Sequence, residues 1–179
     1  MAARALFVDR DGVLNANFIR DGKPYAPRSF AEFRLLPGVA EALNRAKAAG
    51  FLVIVITNQP DVPNGITHRT EVDTMHAWLR EHLPIEDIRV CFHTDSDRCQ
   101  CRKPEPGLLL EAAAQCDIDL GRSYMIGDRW RDVLAGQAAG CFTIFVDYRY
   151  VDEKPMRPDK VVSTLAEAVD FILGRTDSP

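Results

Sequence analysis

The stretch Ala5-Leu6-Phe7-Val8-Asp9-Arg10-Asp11-Gly12 decides the fold class of this chain. Four consecutive apolar residues run directly into an acidic turn, which is typical of a short strand that is buried on both faces. The pattern recurs at residues 51–58, where six apolar and mostly β-branched positions are followed by Thr57-Asn58. Two such runs predict neighbouring strands of a parallel sheet whose carboxyl ends carry polar, reactive side chains.

The spacing of apolar residues along the rest of the chain predicts strands that alternate with helices. Further strands are predicted at residues 88–92, 124–126, 142–146 and 161–162. The predicted helices run over 37–50, from Thr67 or Thr70 to Leu83, over 106–116, over 131–139, and from Ser163 or Thr164 to Leu173. Because strands joined through helices form right-handed crossovers, we expect a Rossmann-like α/β fold with a mainly parallel sheet flanked by helices.

Length and composition predict one domain without a strongly charged surface. The chain has 179 residues, of which 46% are hydrophobic, and its net charge is −4. We expect a single domain over residues 1–174 and a flexible tail over residues 175–179. The acidic balance argues against a nucleic-acid partner, and no apolar run reaches the roughly 18–20 residues of a membrane span. No separate signal-peptide segment follows the first residues, so a cytoplasmic location is predicted.

Asp9 and Asp11 stand two residues apart in the turn after the first strand, and they admit three interpretations. Asp11-Gly12 can simply form a tight turn. A calcium loop of the EF-hand kind needs glycine at its sixth position and glutamate at its twelfth, but Leu14 and Arg20 stand there. The third interpretation is covalent catalysis, in which one carboxylate attacks phosphorus and the other transfers the proton of the leaving group.

Polar residues near the ends of other strands favour the catalytic interpretation. Thr57 and Asn58 could donate hydrogen bonds to phosphoryl oxygens, and Lys103 could balance the negative charge of those oxygens. Each of these residues alone is more typical of an ordinary loop or a solvated lysine. Their occurrence together with two aspartates after the first strand indicates a phosphate site.

Asp128 and Asp132 supply two more carboxylates after the strand at 124–126. On their own they could simply be acidic residues at a helix N-terminus, where the helix dipole favours negative charge. Asp9, the main-chain carbonyl of Asp11 and Asp128 would instead form an all-oxygen site suited to Mg²⁺, with Asp132 as support. The sequence therefore predicts a magnesium site beside the phosphate.

A cluster of cysteines occupies residues 91–101, a segment that we call the cysteine loop. It contains Cys91, His93, Cys99 and Cys101, which are enough to close a tetrahedral Zn²⁺ site with no open position. Such a zinc ion would be structural, and it would staple a polar loop that leads directly to Lys103. Reduced loop cysteines without a metal are the alternative. The two remaining cysteines, Cys116 and Cys141, are expected to be core thiols.

The sequence resembles the haloacid-dehalogenase superfamily through four motifs in order, namely Phe7–Asn15, Thr57-Asn58-Gln59, Lys103-Pro104 and Gly127-Asp128 with Asp132. The resemblance extends from about residue 5 to residue 146. It implies that Asp9 is the nucleophile and Asp11 the general acid and base. It also implies that Thr57 and Lys103 hold the phosphoryl group, and that Asp128 binds Mg²⁺ with Asp132 behind it.

The cysteine loop running into Arg102-Lys103-Pro104 resembles one branch of that superfamily, which holds heptose-bisphosphate phosphatases and the histidinol-phosphatase domain. This resemblance implies Mg²⁺ and Zn²⁺ as cofactors and a small phosphorylated metabolite as the partner. The chain departs from the branch at Pro60-Asp61, where Ser-Gly is usual, and in its shorter cysteine loop. The expected substrate-binding residues are Asn15, Asn58, Gln59, Arg102 and Arg129.

Loop lengths exclude a separate cap domain over this site. The 25 residues 12–36 are too few for a folded cap of roughly 50 residues or more. Selectivity is therefore expected from residues 15–28, residues 59–66 and the cysteine loop. Arg10 and Arg28 are expected near the mouth of the site, where an excess of cations would suit a substrate with a second anionic group.

These observations leave four functions open. A Mg²⁺-dependent phosphatase of a sugar bisphosphate, such as a heptose 1,7-bisphosphate, is favoured. Histidinol phosphate is an alternative substrate, with Asp61 as the partner of its cationic nitrogen. A phosphatase of nucleic-acid ends is opposed by the net charge of −4. A non-enzymatic domain stapled by zinc would leave the carboxylates at the strand ends without a use.

Overall fold

A computed structural model describes residues 2–155 and 157–176 of the chain. The strands in these residues are β1 (Arg4–Val8), β2 (Phe18–Arg20), β3 (Lys23–Tyr25), β4 (Phe51–Asn58), β5 (Asp87–Cys91), β6 (Tyr124–Gly127), β7 (Phe142–Val146) and β8 (Lys160–Val162). The helices are α1 (Val39–Ala48), α2 (Arg69–His82), α3 (Gly107–Cys116), α4 (Trp130–Ala139) and α5 (Leu165–Thr176). Short 3₁₀ turns lie at Phe30–Glu32, Asp95–Asp97 and Leu120–Arg122.

Six of the strands form one parallel sheet in the order β5-β4-β1-β6-β7-β8. This architecture confirms the predicted α/β class. Strand β1 lies between β4 and β6, with Val8 opposite Val55 on one side and Ile126 on the other. Because all three strands run in the same direction, the residues that end or follow them meet at one edge of the sheet.

Both faces of the sheet are covered by helices, as the continuous apolar runs require. Leu6 and Val8 of β1 face a core formed with α1, α2 and α5. Ala5 and Phe7 alternate with them and face a second core formed with α3 and α4. The motifs singled out in the sequence therefore follow strands that are packed on both sides.

Each predicted strand is observed, but two local predictions differ from the structure. The predicted cap of α2 is wrong, because the helix begins after His68 and the hydroxyl of Thr67 donates to the carbonyl of Arg28 instead. Thr164 does accept a hydrogen bond from the backbone N–H of Glu167, at 3.1 Å. Helix α5 continues to Thr176, through the first two residues of the expected tail, and residues 177–179 lie outside the described residues.

The loop after β1 contains a structure that the sequence analysis missed. Strands β2 and β3 form an antiparallel hairpin separate from the main sheet. Asp21 and Gly22 make its turn with φ values of 51° and 74°. An Asp-Gly pair between two short runs is a strong hairpin signal, so the local sequence did contain this information.

Between β1 and α1, the described residues contain this hairpin and one short 3₁₀ turn, which are too small to form a lid domain. As predicted, no separate lid domain is present in the described part of the chain. None of the helices in the described ranges combines the length and the apolar character needed to cross a membrane.

Candidate active site

Lys103 lies at the centre of the carboxyl edge of the sheet and is 98% buried. Its ammonium group contacts Asp9 Oδ1 at 2.9 Å, Asp132 Oδ1 at 2.6 Å and the main-chain oxygen of Ile56 at 2.7 Å. These three contacts use all three N–H donors of a lysine. Burial would lower the pKa of Lys103, but the carboxylates of Asp132 and Asp9 outweigh it and raise the pKa. Lys103 is therefore a fixed positive charge that orients both aspartates.

Asp9 is anchored through one of its carboxylate oxygens. Oδ1 accepts from Lys103 and also from the backbone N–H of Arg10, at 2.8 Å, and neither bond involves Oδ2. Burial, together with the nearby Asp132 carboxylate, raises the pKa of Asp9 to about 7, although Lys103 acts in the opposite direction. A cation at this site would favour the ionised form that a nucleophile needs.

Asp9, Asp128 and Asp132 form a group that could hold a metal ion, with one carboxylate oxygen from each lying within 4.8 Å of the others. Three carboxylates and the single charge of Lys103 leave two negative charges, which a divalent cation would neutralise. Asp128 Oδ1 is buried and has no hydrogen-bond partner. Burial and the neighbouring Asp9 and Asp132 raise the pKa of Asp128 well above its usual value. These features fit a hard cation such as Mg²⁺.

The other oxygen of Asp128 is held by a residue that the sequence analysis did not single out. Asn17, in the loop before the hairpin, donates its side-chain amide to Asp128 Oδ2 at 3.1 Å and to the Tyr150 hydroxyl at 3.3 Å. Gly12 lies against the same carboxylate with φ at +84°, and a Cβ there would lie 1.9 Å from Asp128 Oδ2. Position 12 therefore requires glycine for two reasons. Its φ is positive, and any side chain there would collide with the Asp128 carboxylate.

Asp11 is held in a network of its own. Arg10 donates to it through Nε and Nη2, Asn15 through its amide at 2.9 Å, and Gln59 through its amide at 2.8 Å. Burial would raise the pKa of Asp11, but the Arg10 guanidinium and these hydrogen bonds outweigh it and hold the pKa below its usual value. Arg10 also donates to Nε2 of His76 on α2, at 3.1 Å.

Several predicted substrate-binding residues form hydrogen bonds within the protein that support the site. Asn15 is fully buried and holds Asp11, and Arg10, expected near the mouth, is also fully buried. Gln59 bridges Asp11 and the hydroxyl of Thr57, at 2.9 Å from the latter. Asn58 uses both ends of its amide on the backbone of Lys103, at 3.0 and 3.1 Å. The bonds of Asn58 to Lys103 and of Gln59 to Asp11 join sequence-distant groups, so the motifs alone do not reveal them.

A cavity of about 290 Å³ opens over this cluster. Asp9, Asp11, Asp128, Asp132 and Lys103 line its catalytic side, and Asn58 and Gln59 also reach its wall. The other lining residues are Asn17, Pro24, Tyr25, Ala26, Pro60, Asp61, Arg102, Arg129 and Arg131. The hairpin and the segment after β4 therefore reach the cavity, as predicted. The cysteine loop itself contributes no lining residue, and only Arg102, which follows it, reaches the cavity. Arg131 was missed, although it belongs to the same motif as Asp128.

The four predicted zinc ligands converge. The sulfur of Cys101 lies 3.1 Å from that of Cys91 and 3.4 Å from that of Cys99, and Cys91 and Cys99 are 3.7 Å apart. Nδ1 of His93 lies 3.2 Å from Cys101 Sγ and 3.5 Å from Cys91 Sγ. A tetrahedral ion with Zn–S bonds of about 2.3 Å requires ligand separations of roughly 3.5–3.8 Å. The observed separations of 3.1–3.7 Å lie within or slightly below this range, so the four side chains are close enough together to bind one zinc ion.

The two other cysteines lie apart from this group. Cys141 is buried, and burial raises the pKa of its thiol to about 12, which makes it an unreactive core thiol. Cys116, the last residue of α3, is only partly buried and packs against the edge of the core that lies between the sheet and helices α3 and α4.

Comparisons with known proteins agree with this geometry. A family model described as HAD-hydrolase-like matches residues 100–168. A D-glycero-beta-D-manno-heptose-1,7-bisphosphate 7-phosphatase of Rhodopseudomonas palustris is 38% identical over 148 residues, which cover 76% of this chain and 79% of that protein. A protein of the same name from Helicobacter pylori strain 26695 is 35% identical over 139 residues, covering 74% of this chain and 77% of that protein.

Solved structures give the same result. A D,D-heptose 1,7-bisphosphate phosphatase from B. bronchiseptica, complexed with magnesium and phosphate, superposes with a TM-score of 0.80 at 28% identity, covering 96% of this chain and 99% of that chain. A putative HAD-like phosphatase from Mesorhizobium loti superposes with a TM-score of 0.76 at 28% identity, covering 96% and 86%. Fold and site thus define an α/β hydrolase with a carboxylate-rich centre. The chain belongs to the haloacid-dehalogenase-like hydrolase family.

Proposed function

We propose that this protein is a Mg²⁺-dependent phosphatase that removes one phosphoryl group from a sugar bisphosphate, of the D-glycero-D-manno-heptose 1,7-bisphosphate type. The observation that carries the proposal is the buried group of Asp9, Asp128 and Asp132 around Lys103, at the floor of an open cavity. The names of the relatives support the substrate class.

In the proposed reaction, Asp9 is the nucleophile and Asp11 transfers protons. The carboxylate of Asp9 attacks phosphorus and forms an aspartyl-phosphate as the bond to the sugar oxygen breaks, and Asp11 gives that oxygen a proton. A water molecule then attacks the aspartyl-phosphate, and Asp11 takes up its proton, so that inorganic phosphate leaves and Asp9 is restored. Arg10 keeps Asp11 ionised in the free protein, and the negative charge of a bound phosphate would favour its protonation.

Asp9, Asp128 and the main-chain carbonyl of Asp11 are the groups that we propose for Mg²⁺, with Asp132 as support. Bound there, the ion would offset the repulsion between an anionic nucleophile and an anionic substrate. We propose that Lys103 and Thr57, a buried residue of β4 that accepts a hydrogen bond from Gln59, complete the phosphate side of the site. Asn58 acts by holding the backbone of Lys103, and Asn15 and Gln59 act by holding Asp11.

We further propose that Cys91, His93, Cys99 and Cys101 hold one structural Zn²⁺. Four protein ligands leave no position for substrate, so this ion would order the loop and take no part in the reaction. Burial and the sulfurs of Cys91 and Cys99 raise the pKa of Cys101, as expected of thiols that are crowded together without a cation. The ordered loop fixes the chain direction into Arg102 and Lys103.

Histidinol phosphate remains the second candidate substrate because Asp61 lines the cavity. A carboxylate at this position could pair with the cationic nitrogen of histidinol. Burial raises the pKa of Asp61 although Arg28 opposes the shift, so the carboxylate lacks a strong partner of its own. The arginines that line the cavity favour the bisphosphate.

The test is phosphate release by the purified protein with Mg²⁺ from heptose 1,7-bisphosphate, histidinol phosphate and an oligonucleotide with a terminal phosphate. We expect kcat/KM to be highest for the bisphosphate and activity to be lost in Asp9→Asn, because an amide cannot attack phosphorus. A higher kcat/KM for histidinol phosphate or for the oligonucleotide would overturn the substrate assignment. Near-normal turnover by Asp9→Asn would overturn the covalent mechanism.

A further inference from the structure

The guanidinium of Arg10 is held on two edges by different partners. Nε and Nη2 donate to the carboxylate of Asp11, and Nη2 lies 2.9 Å from both of its oxygens. Nη1 contacts a separate group, Nε2 of His76 on α2, at 3.1 Å. The Arg10 side chain has no exposed surface, so its donors depend on partners within the protein.

His76 is the hydrogen-bond acceptor in this contact. A guanidinium has donors and no acceptor, so Nε2 must accept and the imidazole is the neutral tautomer with its proton on Nδ1. Burial and the positive charge of Arg10 lower the pKa of His76 to about 3, so the acceptor persists at neutral pH. His76 belongs to the buried face of α2, together with Val72, Met75 and Leu79, and the packing of that face holds the imidazole in place.

The direction of the Arg10 guanidinium sets the orientation of Asp11. Asn15 donates to Oδ1 of Asp11 and Gln59 donates to Oδ2, whereas Arg10 contacts both oxygens. A planar guanidinium that contacts both oxygens of a carboxylate also restricts the plane in which the carboxylate lies. Asp11 lines the cavity, while Arg10 and His76 are not among its lining residues. The contact with His76 therefore reaches the cavity through two side chains.

We infer that His76 is a positioning residue for proton transfer, because it holds the Arg10 guanidinium in the direction that aims the Asp11 carboxylate at the leaving oxygen of the substrate. His76 acts through Arg10 and does not itself contact the substrate. The inference rests on the proposed phosphatase function, in which Asp11 protonates the sugar oxygen as its bond to phosphorus breaks and Asp9 takes the phosphoryl group.

Two leaving groups that differ in their need for a proton test this role. The sugar oxygen must be protonated as it leaves, whereas 4-nitrophenolate is a stable anion that leaves without a proton. The value of kcat/KM covers the steps up to release of the first product. It therefore reports proton donation by Asp11 and excludes the later hydrolysis of the aspartyl-phosphate.

The decisive variant is His76→Leu, which removes the acceptor and nearly preserves the size of the side chain. We expect kcat/KM for heptose 1,7-bisphosphate to fall roughly tenfold or more, and kcat/KM for 4-nitrophenyl phosphate to stay within about threefold of wild type. His76→Gln offers an amide oxygen to Nη1 of Arg10 and should recover most of the loss. An equal change for the two substrates in His76→Leu would overturn the inference, and so would a His76→Gln variant that recovers nothing.

Val72→Ala is the matched control, since Val72 lies one turn before His76 on the same buried face of α2. It weakens the packing of the helix without removing an acceptor from Arg10, so it should change both substrates by the same factor. A difference between the substrates in Val72→Ala as large as that in His76→Leu would overturn the inference, because packing of α2 alone would then explain the effect.

Asp11→Asn separates failure of this inference from failure of the proposed reaction. We expect it to show the same difference between the two substrates as His76→Leu, with a larger factor. If it lowers kcat/KM equally for both, the proposed proton transfer is wrong and the inference fails with it. If Asp11→Asn shows the difference and His76→Leu does not, the inference alone is wrong.

A second measurement does not depend on turnover. In NMR spectra of the nitrogen-labelled protein with Mg²⁺ present, we expect separate guanidinium N–H resonances of Arg10, because a group held on two edges rotates slowly. Their absence from Arg10→Lys identifies them. They should persist in His76→Gln and be lost by rotation or exchange with water in His76→Leu. Unchanged resonances in His76→Leu would overturn the inference, even if heptose 1,7-bisphosphate were not the substrate.

Discussion

At the scale of single residues, the site is a set of charged groups with few free hydrogen-bonding positions. Lys103 uses all of its donors on Asp9, Asp132 and a main-chain oxygen. Any movement of its side chain would therefore leave buried carboxylates without their positive partner. Burying an ionised group is costly unless it is paired, and breaking such a pair costs about 3–5 kcal/mol. The same contacts that orient Asp9 therefore stabilise the edge of the sheet.

Replacement of Asp11 by asparagine tests the proton-transfer role. The amide can still accept a hydrogen bond from Arg10, but it cannot carry a proton to the leaving oxygen. We expect kcat to fall by roughly 10²-fold or more while Mg²⁺ binding is retained. The measurement is steady-state phosphate release together with a Mg²⁺ titration of the same variant. A kcat within a few-fold of wild type would show that another group transfers the proton.

Replacement of Gly12 by alanine tests whether the position of the Asp128 carboxylate matters for Mg²⁺ binding. Gly12→Ala would place a Cβ 1.9 Å from Asp128 Oδ2, so the carboxylate must move, and we expect Mg²⁺ binding to weaken by about 10-fold or more. Gly50→Ala is the matched control, with a similar φ of +86° but open space around its Cβ. Both variants carry the same backbone strain, of about 1–2 kcal/mol. Calorimetric Mg²⁺ titration separates them, and equal affinities in the two would contradict the assignment.

At the scale of secondary-structure elements, the cysteine loop connects two parts of the site. It begins at Cys91, the last residue of β5, and Arg102 directly follows its end. The carbonyl of Gln100 in this loop accepts a hydrogen bond from the backbone N–H of Gly107, at the start of α3. A short polar loop has too little apolar surface to order itself, so we expect the proposed zinc ion to hold its conformation. Through the loop, the ion would also hold Asp95, Arg102 and Lys103 in position.

Cys101→Ser tests that dependence. We expect about one zinc ion per chain in the purified wild-type protein and much less in the variant, because a hydroxyl is a poor zinc ligand. Stability and phosphatase activity should both fall, the latter through the displacement of Lys103. Elemental analysis and thermal unfolding measure these effects. Cys116→Ser, a change outside the ligand group, is the control and should keep its zinc; a wild-type protein free of zinc would refute the site.

At the scale of the whole molecule, helix α2 is joined to the first motif by a buried hydrogen bond. His76 is 97% buried and accepts from the Arg10 guanidinium, and the two groups connect one helical layer to the catalytic edge of the sheet. Burial, together with the positive charge of Arg10, lowers the pKa of His76 from 6.5 to about 3. The folded protein therefore keeps this imidazole neutral at pH values where the unfolded chain protonates it.

The pH dependence of stability follows from that difference. Because the unfolded state takes up a proton below about pH 6.5 and the folded state does not, the contribution of His76 to stability decreases as the pH falls from 7 to 5, by about 2 kcal/mol. His76→Gln keeps an acceptor for Arg10 but does not titrate, so it should lose less stability over this interval. Urea unfolding of both proteins at pH 7 and pH 5 is the measurement, and equal losses would contradict the prediction.

Much of this molecule is predictable from the sequence because the deciding signals are local. Apolar runs such as residues 5–8 and 51–56 identify buried strands, and the residues that follow them identify the reactive edge of the sheet. The four zinc-ligand candidates lie within eleven residues, so any compact loop must bring them together. The fold class, the carboxylates, Lys103 and the cysteine group are therefore all predictable from the sequence.

The tertiary structure decided which partner each polar side chain has, because those partners lie far apart in the sequence. Asn58 bonds to Lys103 across 45 residues, and Asn17 reaches Asp128 across 111. Arg10, expected at the mouth of the site, is buried against His76, and Arg131 meets Asp95 across 36 residues. A motif specifies which groups are near a strand end, whereas the packing of loops and helices determines which of them line the cavity and which support it from behind.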